Sequence, residues 1–160
     1  MAKKQRTITR IWRGSGDGQN EACVEWHETE KGSLLDRSEH DRTRPPTTEF
    51  HAAFDALGPF IAASYSVHNS RTSAKVRARE VKLEQREDEL LVLLHGQMAA
   101  EGFASPVHMH VPKQTAEGKL AGAIAELVEQ AGRFIDGERG QADLFDEDQE
   151  EGEHDPDAAE

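Results

Sequence analysis

The sequence has little of what stabilises or anchors several classes of protein. It contains one cysteine, Cys23, which excludes an intramolecular disulfide and is typical of a reducing compartment. No apolar stretch approaches the roughly 20 residues that a membrane helix needs. No apolar run follows the basic start MAKKQR, as a secretory signal would require. We therefore expect a soluble, cytoplasmic protein.

The motifs of common catalytic and metal sites are also missing. There is no HExxH and no cysteine pair, and GSGDG has the glycines of a phosphate loop without GxxxxGK[ST]. His108 and His110 would project from the same face of a strand, where they could hold a metal with a third ligand such as His95. Because Met109 between them is expected to face the core, both should instead face outwards. We predict no metal, no cofactor and no enzymatic activity.

Charge divides the chain into two parts. Residues 1–139 carry nineteen basic and twenty-one acidic side chains, a net charge of −2, whereas residues 140–160 carry ten acidic side chains and no basic one. A block of like charge with little apolar surface repels itself and cannot build a core. We predict a globular domain over 1–139 and a disordered acidic tail over 140–160.

Hydrophobic periodicity predicts five strands and two helices in the domain. The predicted strands are about 7–13, 20–28, 73–85, 89–98 and 107–112, and the predicted helices are about 47–61 and 116–135. The order β-β-α-β-β-β-α, with helices segregated from strands, is typical of an α+β domain with a mainly antiparallel sheet.

The first helix should begin just after two prolines and be capped by Thr47 or Thr48, because a hydroxyl accepts a bond from a first-turn amide. Gly58 and Pro59 predict a kink or a break within it. The 28–44 stretch is polar and charged, and it is longer than most loops in compact domains. We expect a mobile loop there, or a short helical turn around two leucines.

Three features of the later strands follow from side-chain parity. Apolar residues change parity between 76–78 and 81–83, which predicts a bulge near Arg79 and Glu80. Segment 89–98 is apolar at both parities, which indicates a central strand covered on both faces or nearly so. Pro112 is expected to close the last strand.

Two basic groups are candidates for nucleic-acid binding. The first lies in the N-terminal segment, and the second is on one face of the strand KVRAR, where it could follow phosphates. The candidate residues are Lys3, Lys4, Arg6, Arg10, Arg13, Lys75, Arg77 and Arg79. Acidic residues follow closely at 87–89, so cross-strand ion pairing is the alternative explanation of the basic strand.

The tail contains two large apolar side chains among its acids. The segment QADLF begins one residue after Gly140. It resembles, position by position, the peptide by which bacterial replication and repair proteins dock on the DNA polymerase sliding clamp. The matching residues are Gln141, Ala142, Asp143, Leu144 and Phe145. The resemblance implies that the last two enter an apolar pocket on the clamp while the glutamine hydrogen-bonds at a second site. Alternatively, both apolar side chains fold back onto the domain.

The whole chain is similar in size and element order to small phage and prophage proteins of unassigned role. The similarity is specific at FIDGERGQADLF and general elsewhere, and the charged stretch at 28–44 departs from it by its length. It implies a setting in phage DNA metabolism. We expect an accessory protein of DNA replication, recombination or repair, with DNA or another replication protein as a further partner. The alternative is a mobile-element inhibitor that occupies the clamp or a host DNA-binding protein through its acidic surface.

Overall fold

The computed structural model describes residues 5–14, 21–67, 75–99 and 106–140. The elements follow one another in this order: β1 (Gln5–Arg13), β2 (Ala22–Glu30), β3 (Ser33–Asp41), α1 (Thr48–Asp55), α2 (Gly58–Ser64), β4 (Val76–Arg86), β5 (Glu89–Met98), β6 (Val107–Thr115) and α3 (Gly118–Ile135). The six strands form one antiparallel sheet in the order β3-β2-β1-β4-β5-β6. The predicted α+β class is confirmed, and the structure adds the strand β3. None of the helices in the described ranges is long and apolar enough to span a bilayer.

The stretch 28–44 is not a long loop, so that prediction is wrong. It contains β3, which forms a tight hairpin with β2 through Lys31 and Gly32 at φ values of 50° and 82°. Positive φ at both central positions is typical of the two-residue turn that matches strand twist. Leu34 and Leu35 lie on the strand, not in a helical turn. Asn-Gly or Asp-Gly usually marks such a turn, and Lys-Gly is a weaker signal for it.

The three helices of the described residues pack on the same face of the sheet. α3 contacts α1, β1 and β2, whereas α2 contacts β4, β5 and β6. The Thr47 hydroxyl accepts the Phe50 amide at 3.1 Å, and the helix is broken at Gly58–Pro59, so both predictions are confirmed. The core between helices and sheet includes the apolar stripes of the helical segments: Phe50, Phe54, Leu57, Ile61, Leu120, Ile124, Leu127, Ala131 and Phe134.

β4 contains the predicted bulge. Its pairing with β5 shifts register between Ala78 and Glu80, so Arg79 is the extra residue. The shift directs Val76 and Ala78 on one side of the bulge, and Val81 on the other, towards the core, where all three are buried. The parity change in the sequence is therefore explained by one inserted residue.

Arg13 is buried beside this bulge, with partners from two other elements. Its Nε donates to the Ala78 carbonyl at 3.0 Å, and its Nη2 donates to Asp55 Oδ1 at 2.6 Å. Its Nη1 lies 3.0 Å from His51 Nδ1 and donates to the His51 carbonyl at 3.3 Å. The guanidinium carbon is 4.7 Å from the centroid of the Phe54 ring. One side chain therefore joins β1, β4 and α1.

The other face of the sheet, which we call the open face, carries no helix within the described ranges. On β5, Val92 and Leu94 point to the core, but Leu93 points to the open face and is 36% exposed. The strand is therefore covered on the core face and only partly covered on the open face. Its apolar residues at both parities reflect leucines that remain partly exposed.

β6 continues through Pro112 to Thr115, so the prediction that this proline ends the strand is also wrong. The β5–β6 ladder shifts register between Val92 and Leu94, which places the proline at an irregularity of an edge strand. A residue without an amide hydrogen is tolerated at such a position.

Replacing Arg13 by methionine tests the importance of the buried guanidinium. We expect Arg13→Met to lower the free energy of unfolding by about 2–4 kcal/mol, since several hydrogen bonds are lost and the Ala78 carbonyl is left unpaired. The matched control is Arg6→Met, because Arg6 pairs with the exposed Asp136, and its cost should stay below about 1 kcal/mol. Urea unfolding measures both, and equal losses would contradict the structural role of Arg13.

Candidate functional site

The C-terminal end of α3 is closed by backbone hydrogen bonds. The Gly137 amide donates to the Phe134 carbonyl and the Glu138 amide to the Arg133 carbonyl, both at 3.0 Å. Together with a φ of 102° at Gly137, these two bonds form a Schellman arrangement. The predicted helix end is confirmed, and the chain turns sharply there towards β3.

Arg139 then ties this segment to the edge of the sheet. Its side chain is 5% exposed, and its Nε donates to Asp41 Oδ2 at 2.9 Å. Its Nη2 reaches Glu39 at 3.3 Å, its Nη1 donates to the Phe134 carbonyl at 2.7 Å, and its guanidinium stacks 3.7 Å from the Phe134 ring centroid. Burial raises the pKa of Asp41, but hydrogen bonds from the Arg44 amide, from Arg139 and from Thr43 outweigh it and hold that pKa well below its ordinary value.

Gly140 makes the last described contact of the chain. Its amide donates to the Pro45 carbonyl at 2.8 Å. A Cβ at this position would lie 2.7 Å from the Pro46 carbonyl oxygen, so a larger residue would push the segment off the domain. This glycine is needed for a close backbone contact.

The clamp-like motif, residues 141–145, lies outside the described residues, as does the rest of the predicted acidic tail. What the structure describes is the fixed point from which the motif starts. The apolar stripe of α3 is already buried by the helices and the sheet up to Phe134.

Most of the basic residues proposed for nucleic-acid binding that lie within the described ranges are engaged inside the domain. Arg6 pairs with an aspartate of the α3 end at 2.7 Å, and Arg10 bridges glutamates of β2 and β4. Arg13 is buried, and Arg79 Nε donates to the Arg13 carbonyl at 3.0 Å.

Four of the basic residues proposed for nucleic-acid binding remain. Lys75 and Arg77 are exposed and make no ion pair with any described residue, whereas Lys3 and Lys4 lie outside the described residues. The two basic groups thus do not form one continuous strip over the part of the surface that the structure shows. Nucleic-acid binding stays a prediction for Lys75 and Arg77.

Three histidines form a row on the open face. His108 and His110 are exposed and Met109 is buried, as predicted. His95 stacks on His110 with ring centroids 4.2 Å apart and an interplanar angle of 2°, and it lies 5.6 Å from His108. No three metal-ligating side chains of the described residues are arranged to hold a metal ion. The rings stack in parallel instead of converging on one point.

A groove of about 590 Å³ also lies on the open face. Leu91 and Leu93 form its apolar wall, and Arg10, Lys82 and Lys113 are the basic side chains that line it. Arg10 and Lys113 are paired with glutamates, the latter at 2.7 Å. The groove lining contains neither a histidine nor a cysteine, and it offers no nucleophile–base pair.

Sequence reasoning proposed Arg13 for nucleic-acid binding instead of a structural role, and it did not single out Tyr65 or Arg139. An arginine whose side chain satisfies backbone carbonyls gives no periodic signal, because its partners are distant in the sequence. For Arg139, the available signal was its position between two glycines directly after an amphipathic helix.

Comparison of the chain with protein-family models, with curated proteins and with solved structures finds no match.

Two histidines make the stability of the domain depend on pH. Burial lowers the pKa of His51, and the neighbouring Arg13 lowers it further. Burial likewise lowers the pKa of His95, followed by the effect of His110. The folded state therefore binds fewer protons than the unfolded chain once the pH falls towards the ordinary histidine value of about 6.5.

We expect the free energy of unfolding to be highest above about pH 6.5 and to fall as the pH falls through that value. Each histidine adds a slope of at most about 1.4 kcal/mol per pH unit. Urea unfolding at pH 7.5 and 5.5 measures the difference, and His95→Asn should reduce it. Gln97→Ala, a non-titrating change on the same face of β5, should leave the slope unchanged. Stability that stays constant or rises on acidification would contradict this assignment.

Proposed function

We propose that this protein docks on the bacterial DNA polymerase sliding clamp through residues 141–145, as a non-enzymatic accessory protein of phage or prophage DNA replication, recombination or repair. The observation that carries the proposal is the match of QADLF to the clamp-docking peptide at each of its positions. Ten acidic residues follow Gly140 without a basic one, so the segment would be repelled by the DNA that a clamp encircles.

The way the domain ends supports the proposal. Phe134 is buried in the core, and Arg139 and Gly140 hold the chain at the edge of the sheet. Among the described residues, the end of α3 is thus held by partners within the domain. The proposal takes Leu144 and Phe145 to be available to a partner.

The anchored exit also limits the distance between the domain and a docked clamp. Five residues span at most about 18 Å in any conformation. A clamp that holds Phe145 would therefore lie close to the surface around Pro45, Pro46 and β3 of this domain. This surface is where a further contact with the clamp, or with DNA passing through it, would form.

The expected affinity is modest. Burying a leucine and a phenylalanine contributes roughly 1.5–3 kcal/mol each. Ordering the peptide and immobilising it on the clamp offset part of this gain. We therefore expect a reversible contact with a dissociation constant on the order of micromolar.

Leu144→Ala together with Phe145→Ala should abolish clamp binding, because both anchors lose their apolar surface. Gln141→Ala should weaken binding less, since one partly exposed hydrogen bond contributes only about 0.5–1.5 kcal/mol. The measurement is a titration of purified bacterial clamp by isothermal calorimetry. The matched control is Leu93→Ala with Val107→Ala, which removes two exposed apolar side chains from the domain itself and should leave the affinity unchanged.

A chain that ends at Gly140 separates docking from folding. It keeps the contacts of Arg139 and Gly140, so its melting temperature should equal that of the full chain while clamp binding is lost. A large drop in melting temperature would show that Leu144 and Phe145 pack on the domain. If the full chain does not bind well above micromolar concentration, or if the double variant binds like the wild type, QADLF is a chance match.

A further inference from the structure

The two edges of the sheet differ in how they are protected. At the β6 edge, the Tyr65 hydroxyl donates to the His110 carbonyl at 2.8 Å and accepts the His110 amide at 2.7 Å. Both backbone groups of His110 therefore point away from β5 and are already bonded. An additional strand could not pair there without displacing Tyr65.

The β3 edge has no such cover within the described residues. β3 is nine residues long, and β2 is its one neighbour among the described strands. No backbone hydrogen bond joins Ser33–Asp41 to a described residue outside that hairpin. Its outward backbone groups form a regular row of donors and acceptors, to which another strand can add.

The charges along β3 are arranged with opposite signs about its middle. Asp36 and Arg37 precede Ser38, and Glu39 and His40 follow it, so the order is acidic, basic, neutral, acidic, basic. If a second copy pairs antiparallel about a twofold axis at Ser38, Asp36 lies opposite His40 of that copy, and Arg37 lies opposite its Glu39. Apart from the Ser38 pair at the axis, every cross-strand pair in this segment then joins an acidic residue to a basic one.

Neighbouring registers lack this property. Opposite residues of an antiparallel pair have their side chains on the same face of the sheet. A twofold axis perpendicular to the sheet must therefore lie midway between the two copies of one residue. An axis at Asp36, at Arg37 or at Glu39 would put two identical charges directly across from each other, which is destabilising. The charge order thus selects the Ser38 register among these.

The faces of the sheet are consistent with this pairing. Arg37 is paired with Trp26 of β2 and Glu39 with Val24, both buried, so these two charged residues are on the helix side of the sheet. Asp36, Ser38 and His40 are on the open face. In a twofold pair with continuous pleating, each side chain of β3 lies opposite a side chain of the second copy that is on the same face of the joined sheet.

The four charged side chains can take on new partners. Asp36 is 86% exposed, Arg37 48%, Glu39 42% and His40 33%. Each has a contact within its own chain. Asp36 and His40 pair with the partly exposed His27 and Glu21, and exposed ion pairs are worth little individually. Arg37 and Glu39 pair with the largely buried Glu28 and Arg139, so these two would keep their present contacts and share their exposed atoms with the second copy.

We propose that a second copy of this chain binds the β3 edge, in antiparallel register about Ser38, so that two six-stranded sheets join into one of twelve strands. Charges on an edge strand ordinarily prevent pairing. Here their order disfavours most partners but favours the same strand rotated by 180°. The proposal does not rest on clamp docking.

A cysteine at the axis tests the register directly. In the proposed pair, the Ser38 Cα atoms of the two copies are about 4.5–5.5 Å apart, which is within the range for a disulfide. Ser38→Cys should cross-link most chains under mild oxidation. The matched control is Ser33→Cys on the same strand, whose symmetry mate would be roughly 34 Å away along the strands and should not cross-link. The natural Cys23 is buried and gives little background.

A residue exchange tests the charge pairing. His40→Asp would place an aspartate opposite Asp36 of the other copy in both outer pairs. The dimer dissociation constant should then rise on the order of tenfold. Adding Asp36→His to it keeps the composition and restores acidic–basic pairs, so dimerisation should return. Sedimentation of the full chain over a concentration series measures all three proteins, with circular dichroism to confirm the fold.

Two results would overturn the proposal. One is a full chain that sediments as a monomer throughout the series while Ser38→Cys stays uncrosslinked. The other is a dimer that the Ser38→Cys disulfide does not trap and that His40→Asp does not weaken, since such a dimer would use another surface. A chain ending at Gly140 should dimerise like the full chain, whereas loss of dimers in it would assign the contact to the C-terminal segment.

Discussion

The burial of Arg13 is the constraint on which the arrangement of helices and sheet depends. A buried guanidinium is costly unless its donors are satisfied. Its partners are the Ala78 carbonyl at the β4 bulge and His51 and Asp55 on α1. β1, the bulge and the helix must be in place together for all of them to be used. Slipping any of these elements along the sheet would leave a charge in the core without partners.

The one-sided helical layer accounts for the character of the rest of the surface. Because the helices of the described residues cover one face of the sheet, the open face must be compatible with solvent. It carries paired charges such as Arg10 with Glu25, and the stacked histidines. An antiparallel sheet with one solvent-exposed face also has two edge strands whose outer backbone groups can pair with another strand. Tyr65, at the end of α2, covers one of them, whereas no other described residue pairs with the outer edge of β3.

Much of the fold could be predicted from the sequence where the pattern is local. Helix stripes, the Thr47 cap, the break at Pro59 and the bulge at Arg79 each follow from spacing or from the chemistry of one residue. The missed strand β3 has charged residues on both faces, because it lies at an edge and its helix side meets Arg139 instead of a helix. Periodicity cannot reveal a strand whose two faces are both polar.

The candidate sites also divide into features that a local sequence pattern predicts and features that depend on distant residues. The outward direction of His108 and His110 follows from their alternation with Met109, so it could be read from the sequence. That Arg13 and Arg79 serve the fold instead of a basic surface could not be read, because their partners lie between 38 and 66 residues away along the chain. The proposed docking motif can be read from five residues alone, because a peptide that binds through its own side chains needs no fold.

The exit point of the C-terminal segment connects the two proposals physically. Arg139 binds Glu39 and Asp41, which belong to the strand that would carry the dimer axis. In the Ser38 register, the two Asp41 residues are six positions apart along the paired strands, or roughly 20 Å. Two copies of the motif at 141–145 would then leave the dimer close to each other. A ligand with two such motifs can form its second contact at a high effective concentration, where the target has two pockets within reach. Pairing at β3 would in that case convert a weak contact into a durable one without any change in the peptide.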